Sequence, residues 1–349
     1  MPRPFRCILI KFQCHSFDPS ISSIVSVHAD QNILFHSYPD GALYRQLIGF
    51  NDEIIDAVLL SSGQSSDHVA LATNSSLIRI YSTESFDARL LSGHRDIVLS
   101  LAANSSERML ASGAKDNSAR LWAPQNTELG WGCVATCDGH AESVGAVVFG
   151  REDVPRFLFT GSQDRTIKVW DLSGVPLEAH DASAPVRCKS LSTTRAHEKD
   201  INALDSSPGG ALLASGSQDK TAKLWTVDRS RGMLKLLGTC KGHKRGVWSV
   251  QFARGTRTLA TGSGDRTVRL WRLDDFSCLK VFEGHANSVL RVDWLGGEKD
   301  AYGQVVSAAA DGLVKVWDSR REECVATLDG HEDKVRERWA ALARTDLCD

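Results

Sequence analysis

No stretch of the 349-residue chain approaches the 18 or more apolar residues in a row that a membrane-crossing helix needs. The short run Cys7-Ile8-Leu9-Ile10 is closed by Lys11 and is too brief for the apolar region of a secretory leader. Neither sign of charge is in excess: 41 Lys and Arg stand against 43 Asp and Glu, a formal net charge of -2. That balance speaks against a polybasic nucleic-acid arm and against an acidic disordered tail. Methionine (3) and tyrosine (4) are scarce. The nine cysteines are odd in number and scattered, which fits a reducing compartment better than a secreted disulfide framework. With 42% hydrophobic residues the chain can bury a sizeable core, as two average domains or one large all-β or α/β-barrel body. Against these shortages stand nine tryptophans. That bias needs a cause.

Five of the tryptophans end one recurring string, close to Leu-Ala-Ser/Thr-Gly-Ser-x-Asp-x-Thr-x-Lys/Arg-Leu/Val-Trp: Trp122, Trp170, Trp225, Trp271 and Trp317. In every copy an Asp stands six residues before the Trp: Asp116, Asp164, Asp219, Asp265 and Asp311. A His lies upstream of each string: His94, His140, His197, His243 and His285, with His331 opening a copy that is not completed. The His-to-Trp distance stays within 28 to 32 residues, whereas successive His are 42 to 57 apart. A fixed inner distance with a variable outer one describes a rigid unit joined by elastic loops. The longest step, His140 to His197, holds its extra length between Ser173 and Thr194, a polar, Pro-containing stretch predicted as a surface loop.

Apolar residues alternate within each unit, as in Val247, Val250 and Phe252, then Leu259, then Val268 and Leu270, then Leu279 and Val281. Four short strands per unit at this period are the sequence mark of a WD-repeat β-propeller. The Trp falls on the third strand and the Ser/Thr before Gly on the second. The Asp falls in the turn between them and the His in the loop leading into the first. A buried Trp N–H needs an acceptor, and a buried Asp is tolerable only when fully hydrogen-bonded. The expected tetrads are His94/Ser112/Asp116/Trp122, His140/Thr160/Asp164/Trp170, His197/Ser215/Asp219/Trp225, His243/Thr261/Asp265/Trp271 and His285/Ser307/Asp311/Trp317. A hydrolase triad is the competing reading of Ser, His and Asp, but a nucleophile is not normally repeated five times.

Two weaker units precede the regular five, one from 49 to 92 with Ile80-Tyr81 in place of the Trp end, and one from 20 to 48. The expected fold is therefore all-β: one seven-bladed propeller over 20–330, with blades at about 20–48, 49–92, 93–138, 139–195, 196–241, 242–283 and 284–330. Its first blade is degenerate and its closure incomplete or improvised. Residues 1–19 match no blade, and 331–349 form an irregular tail, weakly helical around Trp339 to Arg344.

Individual loops are more specific than the repeat. They include the stretch 46–56, Leu91-Ser92-Gly93-His94-Arg95-Asp96-Ile97-Val98-Leu99, Lys115-Asp116-Asn117-Ser118, Ala196-His197-Glu198-Lys199-Asp200-Ile201-Asn202 and Gly242-His243-Lys244-Arg245-Gly246-Val247-Trp248-Ser249-Val250. In this order and spacing they resemble the second propeller of the transducin beta-like WD-repeat family of the small-subunit processome, whose members are also called small-nucleolar-RNA-associated WD-repeat subunits. The resemblance runs over about 20–335. It implies a non-enzymatic nucleolar scaffold in 18S pre-rRNA processing. The implied partners are other tandem-propeller processome subunits and, directly or not, the box C/D small nucleolar ribonucleoprotein and pre-rRNA. No cofactor, metal, membrane or small-molecule substrate is implied. The family carries a further N-terminal propeller and a C-terminal helical domain, so a truncated form or a mis-joined gene model is the expectation, all the more as Arg336-Glu337-Arg338 breaks the family's His-Glu-Asp-Lys-Val-Trp pattern.

Trp248 with Lys244 and Arg245 leads the candidate partner contacts, because a Trp beside two cations suits a protein hot spot or an RNA backbone. The alternative is that Trp248 packs between blades. The turn residues Lys115, Gln163, Gln218, Arg165, Lys220 and Arg266 come next, against the reading that they are repeat consensus. Cys133 and Cys137 have loose ligand-like spacing but no second pair, which argues against zinc. Two readings compete with the processome scaffold: a WD-repeat adaptor of another class, such as a ubiquitin-ligase substrate receptor, and a hydrolase working in the central channel.

Overall fold

A computed structural model of the chain describes residues 8–13, 22–27, 32–38, 42–48, 53–61, 67–82, 88–104, 106, 108–125, 130–152, 154–176, 184–295 and 303–328. Every regular element among them is a β-strand, and the strands follow chain order within nearly every sheet. Six blades occupy 54–91, 98–138, 144–195, 201–241, 247–283 and 289–328, here the first to the sixth. Their opening strands, from Ile54–Ser61 to Val289–Leu295, stand side by side around a common axis. The fold is an all-β WD-repeat propeller, with six blades packed among the described residues where the sequence predicts seven.

The difference lies at the N-terminal end. The expected blade at 20–48 is a sheet of Ile8–Gln13, Ser22–Val27, Asn32–Tyr38 and Leu43–Ile48. Its sequence lacks the repeat string that supplies a tetrad, and most of its side chains lie outside the described residues. Residues 1–19, expected to match no blade, do not all stand apart from the sheets. Ile8–Gln13 pairs with Ser22–Val27, Ile10 opposite Val25, and lies against Ile54–Ser61 and Val289–Leu295. Ile8-Leu9-Ile10, weighed above only as part of a leader, opens this strand. The expected tail at 331–349, with His331 and Trp339, lies outside the described residues.

The stretch 173–194 is also not simply a loop. Lys189–Arg195 is the outer strand of the third blade, and Val186–Arg187 adds a fifth, parallel strand to the second, beside Trp131–Asp138. Its polarity misleads because an outermost strand is wet on both faces and needs no apolar alternation.

Adjacent blades share one apolar layer each. Between the fourth and fifth blades, Ala214, Leu224 and Cys240 meet Val247, Val250, Leu259 and Trp271. Each tetrad Trp packs in the layer toward the preceding blade: Trp122, Trp170, Trp225, Trp271 and Trp317 are all buried. Close approach across these layers requires the Gly of the repeat. A Cβ on Gly216 would lie 2.8 Å from Val247 and 2.9 Å from Val250. Side-chain bonds fasten the same layers. Asp56 Oδ2 accepts the Leu101 amide at 2.8 Å, Asp205 Oδ2 the Phe252 amide at 2.7 Å, and Ser249 Oγ the Val292 amide at 3.1 Å.

Candidate functional site

The tetrads form five repeated hydrogen-bond chains. In the second blade, Trp122 Nε1–H donates to Ser112 Oγ at 2.8 Å. The hydroxyl lies 2.8 Å from His94 Nε2, and His94 Nδ1 lies 2.9 Å from Asp116 Oδ2. One proton per bond fixes the order: the hydroxyl donates to Nε2, and Nδ1–H donates to the carboxylate. The same chain links Trp170, Thr160, His140 and Asp164, and Trp225, Ser215, His197 and Asp219. It recurs in Trp271, Thr261, His243 and Asp265, and in Trp317, Ser307, His285 and Asp311.

Each Asp also receives the backbone N–H after the His, as Lys244 N does for Asp265 Oδ2 at 2.9 Å. Its other oxygen takes the amide two residues on and, except at Asp311, a hydroxyl from Ser118, Thr166, Thr221 or Thr267. Burial opposes ionisation and is the largest single influence on these carboxyls. The hydrogen bonds from His, from backbone amides and, except at Asp311, from a hydroxyl together outweigh it, holding Asp116, Asp219, Asp265 and Asp311 below the usual carboxylate range and Asp164 down to about 2. The hydroxyls at the centre, Ser112, Thr160, Ser215, Thr261 and Ser307, are fully buried and take the Trp N–H. Such oxygens face no substrate, so the geometry favours a structural role over the triad.

What the blades leave open is the axis. A channel of about 530 Å³ is lined by all six opening strands. In each of them the register against the second strand slips by one residue. The residues passed over are Ile55, Leu99, Gly145, Asn202, Trp248 and Leu290. A bulge re-aims the residue it releases, and all six line the channel. Trp248 therefore packs on the lumen and not between blades.

The corner residue before the tetrad Asp reaches the same mouth in the second, third and fourth blades. Its amide is held by the loop leading into the first strand: Lys115 N donates to Ile97 O, Gln163 N to Ser143 O, and Gln218 N to Asp200 O. Lys115, Gln163 and Gln218 line the channel beside Glu53, Asp200, Asp56 and Arg291. The fifth blade has Gly264 at this corner, and a Cβ there would lie 3.0 Å from Trp248 Nε1. Lys244 and Arg245 are exposed on the loop above. Arg165, Lys220 and Arg266 are exposed, with φ of 69°, 74° and 72°, in the left-handed turn that Gly312 occupies in the sixth blade. The structure brings Trp248, Lys115, Gln163 and Gln218 to one opening, and those three cations are not part of its lining.

Sequence reasoning named four of these channel residues but missed Ile55, Leu99, Asn202, Leu290, Arg291 and Asp56. The available signal was positional: each released residue directly follows the buried β-branched residue that opens its strand. Among the described residues no group of three or more His, Cys, Asp or Glu could hold a metal ion.

The profile described as "WD domain, G-beta repeat" matches residues 87–123, 131–171, 188–226, 234–272 and 276–318, more than half of the chain. Each match runs from the outer strand of one blade through three strands of the next. The chain is similar to transducin beta-like protein 3 of Mus musculus, 42% identical over 206 residues, which are 58% of this chain and 25% of that protein. It is similar to U3 small nucleolar RNA-associated protein 13 of Saccharomyces cerevisiae, 36% identical over 178 residues, 48% of this chain and 21% of the other. A more distant likeness is to nuclear distribution protein PAC1 of Arthroderma benhamiae, 29% identical over 232 residues, 60% and 48% of the two. The chain thus spans about a quarter of the length of the first two relatives.

Proposed function

The chain belongs to the WD domain, G-beta repeat family, and from that membership we propose that it is a non-enzymatic scaffold of small ribosomal subunit biogenesis. It acts in the nucleolus, inside the small-subunit processome, in 18S pre-rRNA processing. The observation that carries this is its 36 to 42% identity to a U3 small nucleolar RNA-associated protein and to transducin beta-like protein 3. The residues that could pass for chemistry support a scaffold, since each Ser/Thr, His and Asp of the repeat is consumed by a buried hydrogen-bond chain.

Trp248, Lys244 and Arg245 hold a partner subunit at the fifth-blade side of the mouth, with Lys115, Gln163 and Gln218 across the opening and Arg165, Lys220 and Arg266 as further contacts. The mouth mixes Lys115 and Arg291 with Glu53, Asp200 and Asp56. Mixed charge and amides suit a peptide better than a phosphate backbone, whose recognition rests on clustered cations. Contact with pre-rRNA and the box C/D ribonucleoprotein is therefore through protein. The N-terminal sheet flanks this body, with Ile8–Gln13 against the opening strands of both the first and the sixth blade.

Immunoprecipitation followed by RNA sequencing tests the scaffold. Enrichment of pre-rRNA and small nucleolar RNA is expected, and the absence of both overturns it in favour of an adaptor of another class. Charge reversal of Lys244 and Arg245 together should weaken capture of partner subunits without unfolding. Undiminished capture removes these residues from the site.

A further inference from the structure

The one step in the repeat that breaks the period places two cysteines opposite each other. Val186–Arg187 pairs in parallel with the outer strand of the second blade, Ala135 opposite Val186 and Thr136 opposite Arg187. The Cys188 amide continues the ladder by donating to Thr136 O at 2.8 Å. The next register position thus sets Cys188 beside Cys137. Cys137 is fully buried in the layer between the second and third blades, and half-exposed Cys188 packs against that layer. Cys133 lies four residues back on the same strand, engaged by Arg120 Nη1 at 3.8 Å and by the Ala135 carbonyl.

We infer that Cys137 and Cys188 are a redox-sensitive thiol pair, which closes to a disulfide on reaction with a low-molecular-weight disulfide such as oxidised glutathione. Neighbouring strands place directly opposed Cα atoms at a separation a disulfide can span. Roles follow from exposure. Cys188 is the attacking sulfur, because it is the one solvent reaches. The Cys137 thiol donates a hydrogen bond to it, which holds Cys188 below and Cys137 above the ordinary thiol range.

The Cys188 thiolate attacks one sulfur of oxidised glutathione and expels the first glutathione thiolate, leaving a mixed disulfide. Cys137 then gives up its proton and attacks the Cys188 sulfur, forming the Cys137–Cys188 bond and expelling the second. Two protein thiols are oxidised and one glutathione disulfide is reduced to two glutathione thiols, which carry away the two protons. The product ties the outer strand of the second blade to the segment leading into the outer strand of the third.

The test equilibrates the whole chain in reduced and oxidised glutathione, quenches with acid, alkylates, and cleaves after glutamate. Peptides 129–142 and 179–198 should appear linked through Cys137, in about tenfold excess over any other cysteine pairing. Linkage through Cys133, or glutathione left on Cys188 without resolution, overturns the pair. So does modification of the exposed Cys278 and Cys324 while Cys188 stays reduced. Cys188→Ser, at the half-exposed position, should abolish the link with an unchanged far-ultraviolet spectrum. Cys137→Ser should leave a stable glutathione adduct on Cys188, and a linked peptide persisting in either variant refutes the assignment.

Discussion

Asp219→Ala tests the tetrad at the member with the most partners. Its Oδ2 accepts His197 Nδ1–H at 2.8 Å and the Glu198 amide at 3.2 Å. Its Oδ1 accepts the Thr221 amide at 3.0 Å and the Thr221 hydroxyl at 2.6 Å. After truncation the Glu198 amide, on an exposed residue, regains water, and Thr221 is half-buried and partly does so. His197 is buried, and its Nδ1–H keeps only the long contact to Thr221 Oγ1 at 3.4 Å. An orphaned buried donor costs about 1–3 kcal/mol, and a bond to a charged acceptor contributes about 1.5–3. Because these overlap, a loss of about 2–3 kcal/mol is expected. With an unfolding entropy of roughly 2.1 cal/mol/K per residue over about 300 residues, that lowers Tm by about 3–5 °C. Asp311 is the internal control, since Leu313 supplies an amide but no hydroxyl. Asp311→Ala should cost about 1 kcal/mol less, one net hydrogen bond. Urea midpoints at constant slope are the assay, with His197→Ala and the double variant completing a cycle. A coupling of about 1 kcal/mol or more is expected. If Asp219→Ala stays within about 0.5 kcal/mol of the parent, or the two costs simply add, the tetrad is not the coupled unit described here.

Gly216→Ala should destabilise by about 1–3 kcal/mol through overpacking on Val247 and Val250, whereas Gly209→Ala, with nothing within 4 Å of the added Cβ, should change the urea midpoint little. Trp225→Ala should cost about 3–5 kcal/mol as a buried inter-blade residue. Trp248→Ala should leave the midpoint within about 1 kcal/mol and lower partner capture. The pH dependence follows from the tetrad carboxyls, which ionise in the folded chain below the ordinary range, Asp164 at about 2. The unfolded chain then takes up protons first, so their stabilisation is present above about pH 4 and is lost as pH falls toward the folded values. His140, pushed down by burial against the pull of Asp164, acts in the same sense below about pH 6.5. Buried Asp205, raised by desolvation in spite of Arg151, acts in the opposite sense. Urea midpoints at pH 7, 5 and 3 should decline steeply only in the last interval, and a flat profile contradicts the depressed carboxyls.

The tetrads are legible in the sequence because their geometry is local to one unit. The Trp-to-Asp step spans a single turn and strand, so spacing alone fixes who can meet whom. Features that depend on neighbouring units are not legible in the same way. Each opening strand reads as plain alternation, although its bulge turns Trp248 and five counterparts into the lumen. Ile8–Gln13 is recognisable as a strand only through its partners at Ser22–Val27, since it carries no repeat residue. Lys189–Arg195 was obscured by being wet, and Val186–Arg187 by being two residues long. Cys137 and Cys188 are far apart in sequence and meet only because that short strand is parallel, the least predictable pairing in the chain.

A repeat protein spends its regular residues on holding itself together, so function is best sought where one unit departs from the rest. At the corner before the tetrad Asp the second, third and fourth blades carry Lys115, Gln163 and Gln218 and the sixth Ala310, whereas the fifth alone of these carries Gly264. At the bulge the other blades carry an aliphatic residue, Gly or Asn, whereas the fifth carries Trp248. These two departures are one event in space. A side chain at 264 would start 3.0 Å from the indole nitrogen, tighter than an ordinary contact, so the large residue at 248 favours the smallest one at 264. Gly264 has no positive φ to explain it, unlike Gly284 at 148°, so the close approach of the indole is its physical cause. A propeller needs no tryptophan in its lumen for stability, because the inter-blade layers are already filled by the five tetrad rings. The paired exchange at 248 and 264 therefore marks the fifth-blade side of the mouth as the place where this chain differs from a generic repeat.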